Sequence, residues 1–276
     1  MILNLTNPLV MAGLALIFAL GVADDIRGLP ALSRLSAQVG LGLIVVVGSL
    51  LFTLESTPGG LLVLVGLVWM VTSINVTNFM DGINGITALN AIVISSAYLA
   101  LALLSKSNIV ALAAAVIGIS LAFLPWNWGI SAKMFLGDSG SYLLGVAIGV
   151  IGFTLFLEGL PILIVIAPAT IYLVDVTYTI MVRIASRQSL LQPHRMHIYQ
   201  QLAFKVRYQP RVALLVGTFT LVASTFGVLA AEALLSTATL AVNAMHPTLG
   251  WSGEGPQRMV PPTSSTSQSG KGSPSR

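Results

Sequence analysis

The chain has no cysteine and very little charge. The missing thiols exclude disulfides, zinc thiolates and cysteine nucleophiles. A metal, if one is used, must be held by oxygen or by one of three histidines. Charged residues make up 8% of the sequence, against roughly 25% in a typical soluble domain. A soluble fold of 276 residues could not cover its surface with so few charges. What fills the chain instead is apolar: 55% of residues are hydrophobic and the mean hydropathy is +0.91. Lipid is the solvent that fits. The first apolar run, Asn4 to Ala23, also lacks the basic segment that precedes a signal peptide, and reads as a mature transmembrane helix. The net charge of +4 and pI of about 9.6 do not imply nucleic acid, because basic loops on one side of a membrane give the same sum.

A spanning helix needs about 20 mostly apolar residues. Eight segments qualify, approximately 8–23, 37–54, 60–78, 86–104, 109–125, 140–157, 160–182 and 211–232. The expected fold class is therefore all-α, a polytopic membrane helix bundle. A further apolar patch near 235–245 is too short to assign. From Gly250 the chain is rich in Ser, Pro, Gly and Gln, so residues 1–249 read as the transmembrane domain and 250–276 as a disordered tail. Gly145 and Gly149, four apart, point to close helix packing. Pro125, Pro161 and Pro168 fall at or near expected helix ends or kinks.

The loops divide by charge. One set holds Arg27, Arg34, Lys133, Arg183, Arg187, Arg195, Lys205, Arg207 and Arg211; the other holds Glu55, Lys106 and Glu158. The first set is expected on the cytoplasmic side, which leaves both termini outside.

Nine acids are few enough to weigh singly. Asp24, Asp25, Asp81 and Asp138 come from three loops and fall at the cytoplasmic ends of the expected helices. Any one could merely pair with a loop arginine. Four on one face suggest a cation site, since hard divalent ions prefer carboxylate oxygen. In Asn75-Val-Thr-Asn78-Phe-Met-Asp81-Gly-Ile-Asn84-Gly85, the polar residues at 75, 78 and 81 share one side of a helix end. Such a stripe closing an apolar helix is expensive unless it binds something. Asn75-Val-Thr matches a glycosylation sequon but is expected on the wrong side. Met134-Phe-Leu-Gly-Asp138-Ser-Gly-Ser141 is expected as a loop before a helix whose free N–H groups favour phosphate. Its Gly-Asp-Ser-Gly is not a serine-protease motif here, because no soluble β domain or triad accompanies it. Gln192-Pro-His194-Arg195-Met-His197-Ile-Tyr-Gln-Gln201 lies in the longest cytoplasmic loop. Arginine and histidine together suit phosphate, although a basic loop beside anionic headgroups has the same composition.

The ordered set of motifs resembles one family, the polyprenyl-phosphate N-acetylhexosamine-1-phosphate transferases of glycosyltransferase family 4. Its Asp-Asp pair is similar to Asp24-Asp25, followed by Arg34 and Gln38. Its Asn-x-x-Asn-x-x-Asp-Gly segment is similar to Asn75–Gly85, its Gly-Asp segment to Phe135–Ser141, and its histidine loop to Pro193–His197. The resemblance covers roughly residues 10–205. It implies transfer of a sugar-1-phosphate from a UDP-N-acetylhexosamine to a polyprenyl phosphate, with release of UMP, at the cytoplasmic face of a bacterial inner membrane. It implies magnesium, with manganese admissible, held by Asp138 and Asn78, and catalysis by Asp24, Asp25 and Asp138. Asn75, Asn78, Asp81, Asn84, His194, Arg195 and His197 would bind substrate. The partners implied are the lipid phosphate, the sugar nucleotide and membrane lipids, with a homodimer allowed and no nucleic acid. Family members usually carry two more helices before the first one here, so an N-terminally short member is expected. The histidine loop lacks a run of consecutive histidines and resembles the O-antigen and capsule-initiating branch. Two other readings stay open: an inactive homologue, and a transporter with acids along its pathway, which would place them near mid-membrane.

Overall fold

The computed structural model describes residues 7–53, 59–129, 131–189 and 196–245. The tail from Gly250, together with His194 and Arg195, lies outside the described residues. The chain divides into two units, Met1–Leu235 and Ser236–Arg276, and the architecture below is that of the first.

Among the described residues the elements are all helical. They are α1 (Pro8–Arg27), α2 (Ala31–Thr53), α3 (Gly60–Phe79), α4 (Ile86–Leu104), α5 (Val110–Asn127), α6 (Gly137–Leu157), α7 (Ile162–Ile166), α8 (Thr170–Ala185), α9 (Ile198–Val206) and α10 (Gln209–Met245). Eight spans among the described residues are long and apolar enough to cross a membrane, in the order expected. Several boundaries differ from expectation: α1 runs on to Arg27, and α2 begins at Ala31 and not near 37. The run at 160–182 is broken: α7 passes through a 3-10 turn at Ala167–Ala169 before α8 resumes. Pro168 has no N–H to continue the ladder, and the nearby Val165 carbonyl is taken by the Tyr98 hydroxyl at 2.9 Å. The patch at 235–245 belongs to α10, whose helix runs on to Met245. Finally, α6 begins at Gly137, so Asp138 lies in its first turn and not in a preceding loop.

The central helix is α6, which packs on α1, α2, α3, α4 and α5. Of its span 78% is buried inside the bundle, against 22% for the peripheral α5. Small residues allow this. A Cβ on Gly145 would stand 2.7 Å from the Cα of Ile74 in α3, and one on Gly21 would stand 2.5 Å from the Cα of Ser139. Backbones that close gain van der Waals contact, the main adhesive available between helices in lipid. Asn7 caps α1 by accepting from the N–H groups of Leu9 and Val10, and its amide donates to the Gly48 carbonyl of α2 at 2.6 Å.

Candidate active site

The C-terminal ends of α1, α3, α5 and α8 meet the N-terminal ends of α2, α4, α6 and α10 at one end of the bundle. A cavity of about 1060 Å³ opens there. Asp25, Asn75, Asn78, Asp81, Asn84 and Asp138 all line it, and so does His197. Residues up to 172 positions apart in sequence are thereby brought to one space.

The two adjacent acids of α1 part company. Asp24 is buried and is not part of the cavity wall. It accepts from the Leu29 N–H at 2.8 Å, from Arg34 at 3.2 Å and from the Tyr142 hydroxyl at 2.8 Å. It therefore ties the α1–α2 turn and α2 to α6. Asp25, one residue on and about 100° round the helix, faces the cavity. Its two oxygens accept from the N–H groups of Asp138 and Ser139 at 2.7 and 3.0 Å. The helix N-terminus expected to offer free N–H groups to phosphate is thus already capped, by a carboxylate from another helix. Gly137 makes the cap fit. Its φ is +69°, which a residue with a side chain resists, and a Cβ there would stand 2.8 Å from the Asp25 carboxylate.

Asp138 accepts from the Asn78 amide at 2.6 Å, and the same amide group lies 3.0 Å from the Ser141 hydroxyl. Asn78 leaves its carbonyl oxygen to offer elsewhere. Asp81 lies just past α3. Burial pushes its carboxyl up to about 7, and the negative charge of Asp138 acts in the same direction. Asn75 donates to Gln38 of α2 at 2.6 Å and to the Val71 carbonyl at 2.8 Å. Asn84 joins two loops, donating to the Gly129 carbonyl at 2.9 Å, while its own N–H is accepted by Gln209 of α10 at 3.0 Å.

His197 is buried at the start of α9, with Asp175 3.1 Å from its Nδ1. Tyr199 lies beneath Gly82, whose missing Cβ leaves room for the phenol; its hydroxyl donates to the Phe79 carbonyl at 2.8 Å.

Asn127 belongs to none of the motifs that the sequence singles out. It accepts from the Gly85 N–H and donates to the Met134 carbonyl, both at 2.7 Å, and so buttresses two motif segments at once. Its signal was an amide closing an otherwise apolar helix, between Trp126 and Trp128.

Among the described residues no three His, Cys, Asp or Glu side chains form a metal cluster. The oxygens of Asp138, Asp81 and Asn78 on one cavity nevertheless suit a hard ion of the magnesium type, which binds through one or two carboxylates and keeps waters or substrate phosphate as its other ligands.

A bundle of this kind, with acids and amides from several helices around one end cavity, is a polytopic membrane protein with a surface-proximal polar site. The family model described as glycosyl transferase family 4 matches residues 7–156, and the chain belongs to that family. It is 30% identical over 209 residues to a probable undecaprenyl-phosphate N-acetylglucosaminyl 1-phosphate transferase of Bacillus subtilis (strain 168), with 70% of this chain and 57% of that protein covered. It is 29% identical over 228 residues to a decaprenyl-phosphate N-acetylglucosaminephosphotransferase of Mycolicibacterium smegmatis, covering 71% and 56%. A phospho-N-acetylmuramoyl-pentapeptide-transferase of Moorella thermoacetica is 33% identical over 168 residues, covering 53% and 52%. The chain therefore spans little more than half the length of these relatives.

Proposed function

We propose that the chain transfers an N-acetylhexosamine-1-phosphate from a UDP-sugar to a polyprenyl phosphate, releasing UMP and beginning an envelope polysaccharide such as an O-antigen or capsule. The observation that carries this reading is the single cavity lined by Asp25, Asn78, Asp81 and Asp138, in a chain whose relatives are named for polyprenyl-phosphate sugar-phosphate transfer. Its volume of about 1060 Å³ is at the upper end of ligand pockets, roughly 300–1,000 Å³, and admits a nucleotide sugar. Leu35, Val71, Val176 and Ile180 line it too, an apolar side suited to a lipid. The cations Arg27, Arg34, Lys133, Arg183, Arg187, Lys205, Arg207 and Arg211 gather at this end of the sequence's loops, which supports a cytoplasmic site in a bacterial inner membrane.

Magnesium would be held by Asp138 with Asn78, and would neutralise the diphosphate and its leaving charge. Asp81 and Asn84 would position the nucleotide, and Asn75 would hold α2 against α3 beside it. Asp25 faces the cavity and would meet the lipid phosphate. Asp24 acts through Arg34 and Tyr142, as a positioning residue. His197 would contact phosphate, with His194 and Arg195 assisting. A transporter reading is weaker, because these acids gather at one end of the bundle and not at its middle.

The test is transfer of labelled phosphosugar from a panel of UDP-N-acetylhexosamines to undecaprenyl phosphate, in membranes that contain this chain. Product that needs magnesium and is lost in Asp138→Asn supports the reading and names the sugar. No product under any of these conditions would refute it for this chain.

A further inference from the structure

Asp175 is an acid in the middle of an apolar helix. It sits in α8 between Val174 and Val176 and is buried. Such a group is costly in a membrane protein unless its oxygens are engaged, and both are. Oδ1 accepts the N–H of Ile198, the first residue of α9, at 2.7 Å. Oδ2 lies 3.1 Å from Nδ1 of His197. One turn on, Thr179 donates its hydroxyl proton to the Asp175 backbone carbonyl at 2.8 Å. The same hydroxyl oxygen lies 3.3 Å from His197 Nδ1. With its proton already committed, it can meet that nitrogen only as an acceptor.

Two acceptors therefore face Nδ1, so Nδ1 carries the hydrogen. The rings of Phe79 and Tyr199 stand with centroids 6.0 and 5.8 Å from the imidazole and restrict its rotation. His197 lines the cavity, and any hydrogen bond from its ring to a ligand runs through Nε2.

We propose that Asp175 is a positioning residue that, with Thr179, locks His197 in the Nδ1–H form and presents Nε2 to a phosphate oxygen of the sugar nucleotide. This rests on the transferase reading. When the ring takes a second proton from solvent, on Nε2, the Asp175 carboxylate counters the charge of the ring, and Nε2–H donates to the phosphate. The proton stays on the imidazole and no substrate bond breaks in this step. The second oxygen of Asp175 starts α9, so one side chain sets both the tautomer and the helix that carries Tyr199.

The experiment exploits that division. In Asp175→Asn, the amide oxygen stays on the Ile198 N–H, and the amide nitrogen turns to His197 and forces Nδ1 to accept. Helix α9 keeps its start while the tautomer changes. Nitrogen-15 histidine NMR on the full chain in lipid nanodiscs reads the tautomer directly, with His197→Gln identifying the resonance. The expected result is an Nδ1–H pattern in the wild type and in Thr179→Val, and an Nε2–H pattern in Asp175→Asn. UDP-N-acetylglucosamine with magnesium should move the wild-type Nε2 resonance toward imidazolium and leave that of Asp175→Asn unmoved. Transfer should fall roughly 10–100-fold in Asp175→Asn, the range for partners that orient metal-ligating histidines. An Nε2–H pattern in the wild type overturns the proposal, as does an unchanged tautomer or a wild-type rate in Asp175→Asn. An Nδ1–H wild type that shows neither a nucleotide-dependent shift nor transfer would instead overturn the phosphate assignment together with the transferase reading, while the pairing itself stood.

Discussion

The two ends of the bundle are built differently. At the far end, the Asn7 amide reaches across to Gly48 of α2, but most polar groups close their own turns: the Ser105 hydroxyl donates to Leu101, four residues back, and the Ser107 hydroxyl accepts from Ile109. At the site end, polar groups reach across the fold. Asp25 holds Asp138 and Ser139, Asn78 holds Asp138, Asn84 holds Gly129, and Asp175 holds Ile198. Local bonds finish a helix and ask nothing of its neighbours. Bonds between elements fix where helix ends stand relative to one another, which is what a site assembled from several helices requires. The same acids and amides that line the cavity also hold it open.

This contrast can be broken from the site end first. Asp138→Asn should lower transfer about 10³-fold or more, the scale for losing a group that stabilises transition-state charge, with little change in thermal unfolding. Asp24→Ala should act on stability first, and lower transfer less than Asp138→Asn does, through the loss of its hold on Arg34 and Tyr142. It leaves Arg34, Tyr142 and the Leu29 N–H without their acceptor, and should cost roughly 1–3 kcal/mol, the range for leaving a buried polar partner unsatisfied, read as a lower unfolding temperature in detergent. If Asp24→Ala proved as stable as the wild type, the division of labour between the two neighbouring acids would be wrong. Gly145→Ala should cost about 1–3 kcal/mol by overpacking α6 on α3, without a selective effect on transfer.

The pH dependence comes next. The Asp81 carboxyl is pushed up to about 7 by burial, from an unfolded value of about 4. Between those values the folded chain holds a proton that the unfolded chain has lost. This contribution to stability is therefore complete below pH 4 and falls away as pH rises to about 7. Asp81→Asn should flatten that slope, so its stability relative to the wild type grows from pH 4 to 7; an identical slope in both would remove Asp81 as its cause. Smallest of all, Ser105→Ala at the far end should shift stability by no more than about 0.5 kcal/mol and leave transfer unchanged.

Much of this was legible in the chain. The eight spans follow from apolar runs long enough to cross a bilayer, because a helix in lipid must be apolar along its length whatever it packs against. The gathering of Asp25, Asn78, Asp81 and Asp138 at one end follows from their places at helix ends and from alternation of direction between successive spans. What could not be read was direction around a helix axis. Asp24 and Asp25 are chemically identical, and only the packing of α6 decides which of them is buried on Tyr142 and which faces the cavity. The start of α6 is hidden in the sequence because the run Gly-Asp-Ser-Gly-Ser reads as a loop; it is helical because Asp25, 113 residues away, caps it. Asn127 gave a weak signal, one amide among tryptophans, since its partners Gly85 and Met134 are neighbours only in space.

By itself, then, the sequence determined the solvent, the number of spans and the residue types available for chemistry, all of which depend on composition and on local order. The tertiary structure decided which of those residues share a cavity, which serve only to hold others, and which groups face Nδ1 of His197. Those outcomes depend on contacts between residues distant along the chain, where a rotation of one helix by a single residue exchanges a buried anchor for a cavity-facing group.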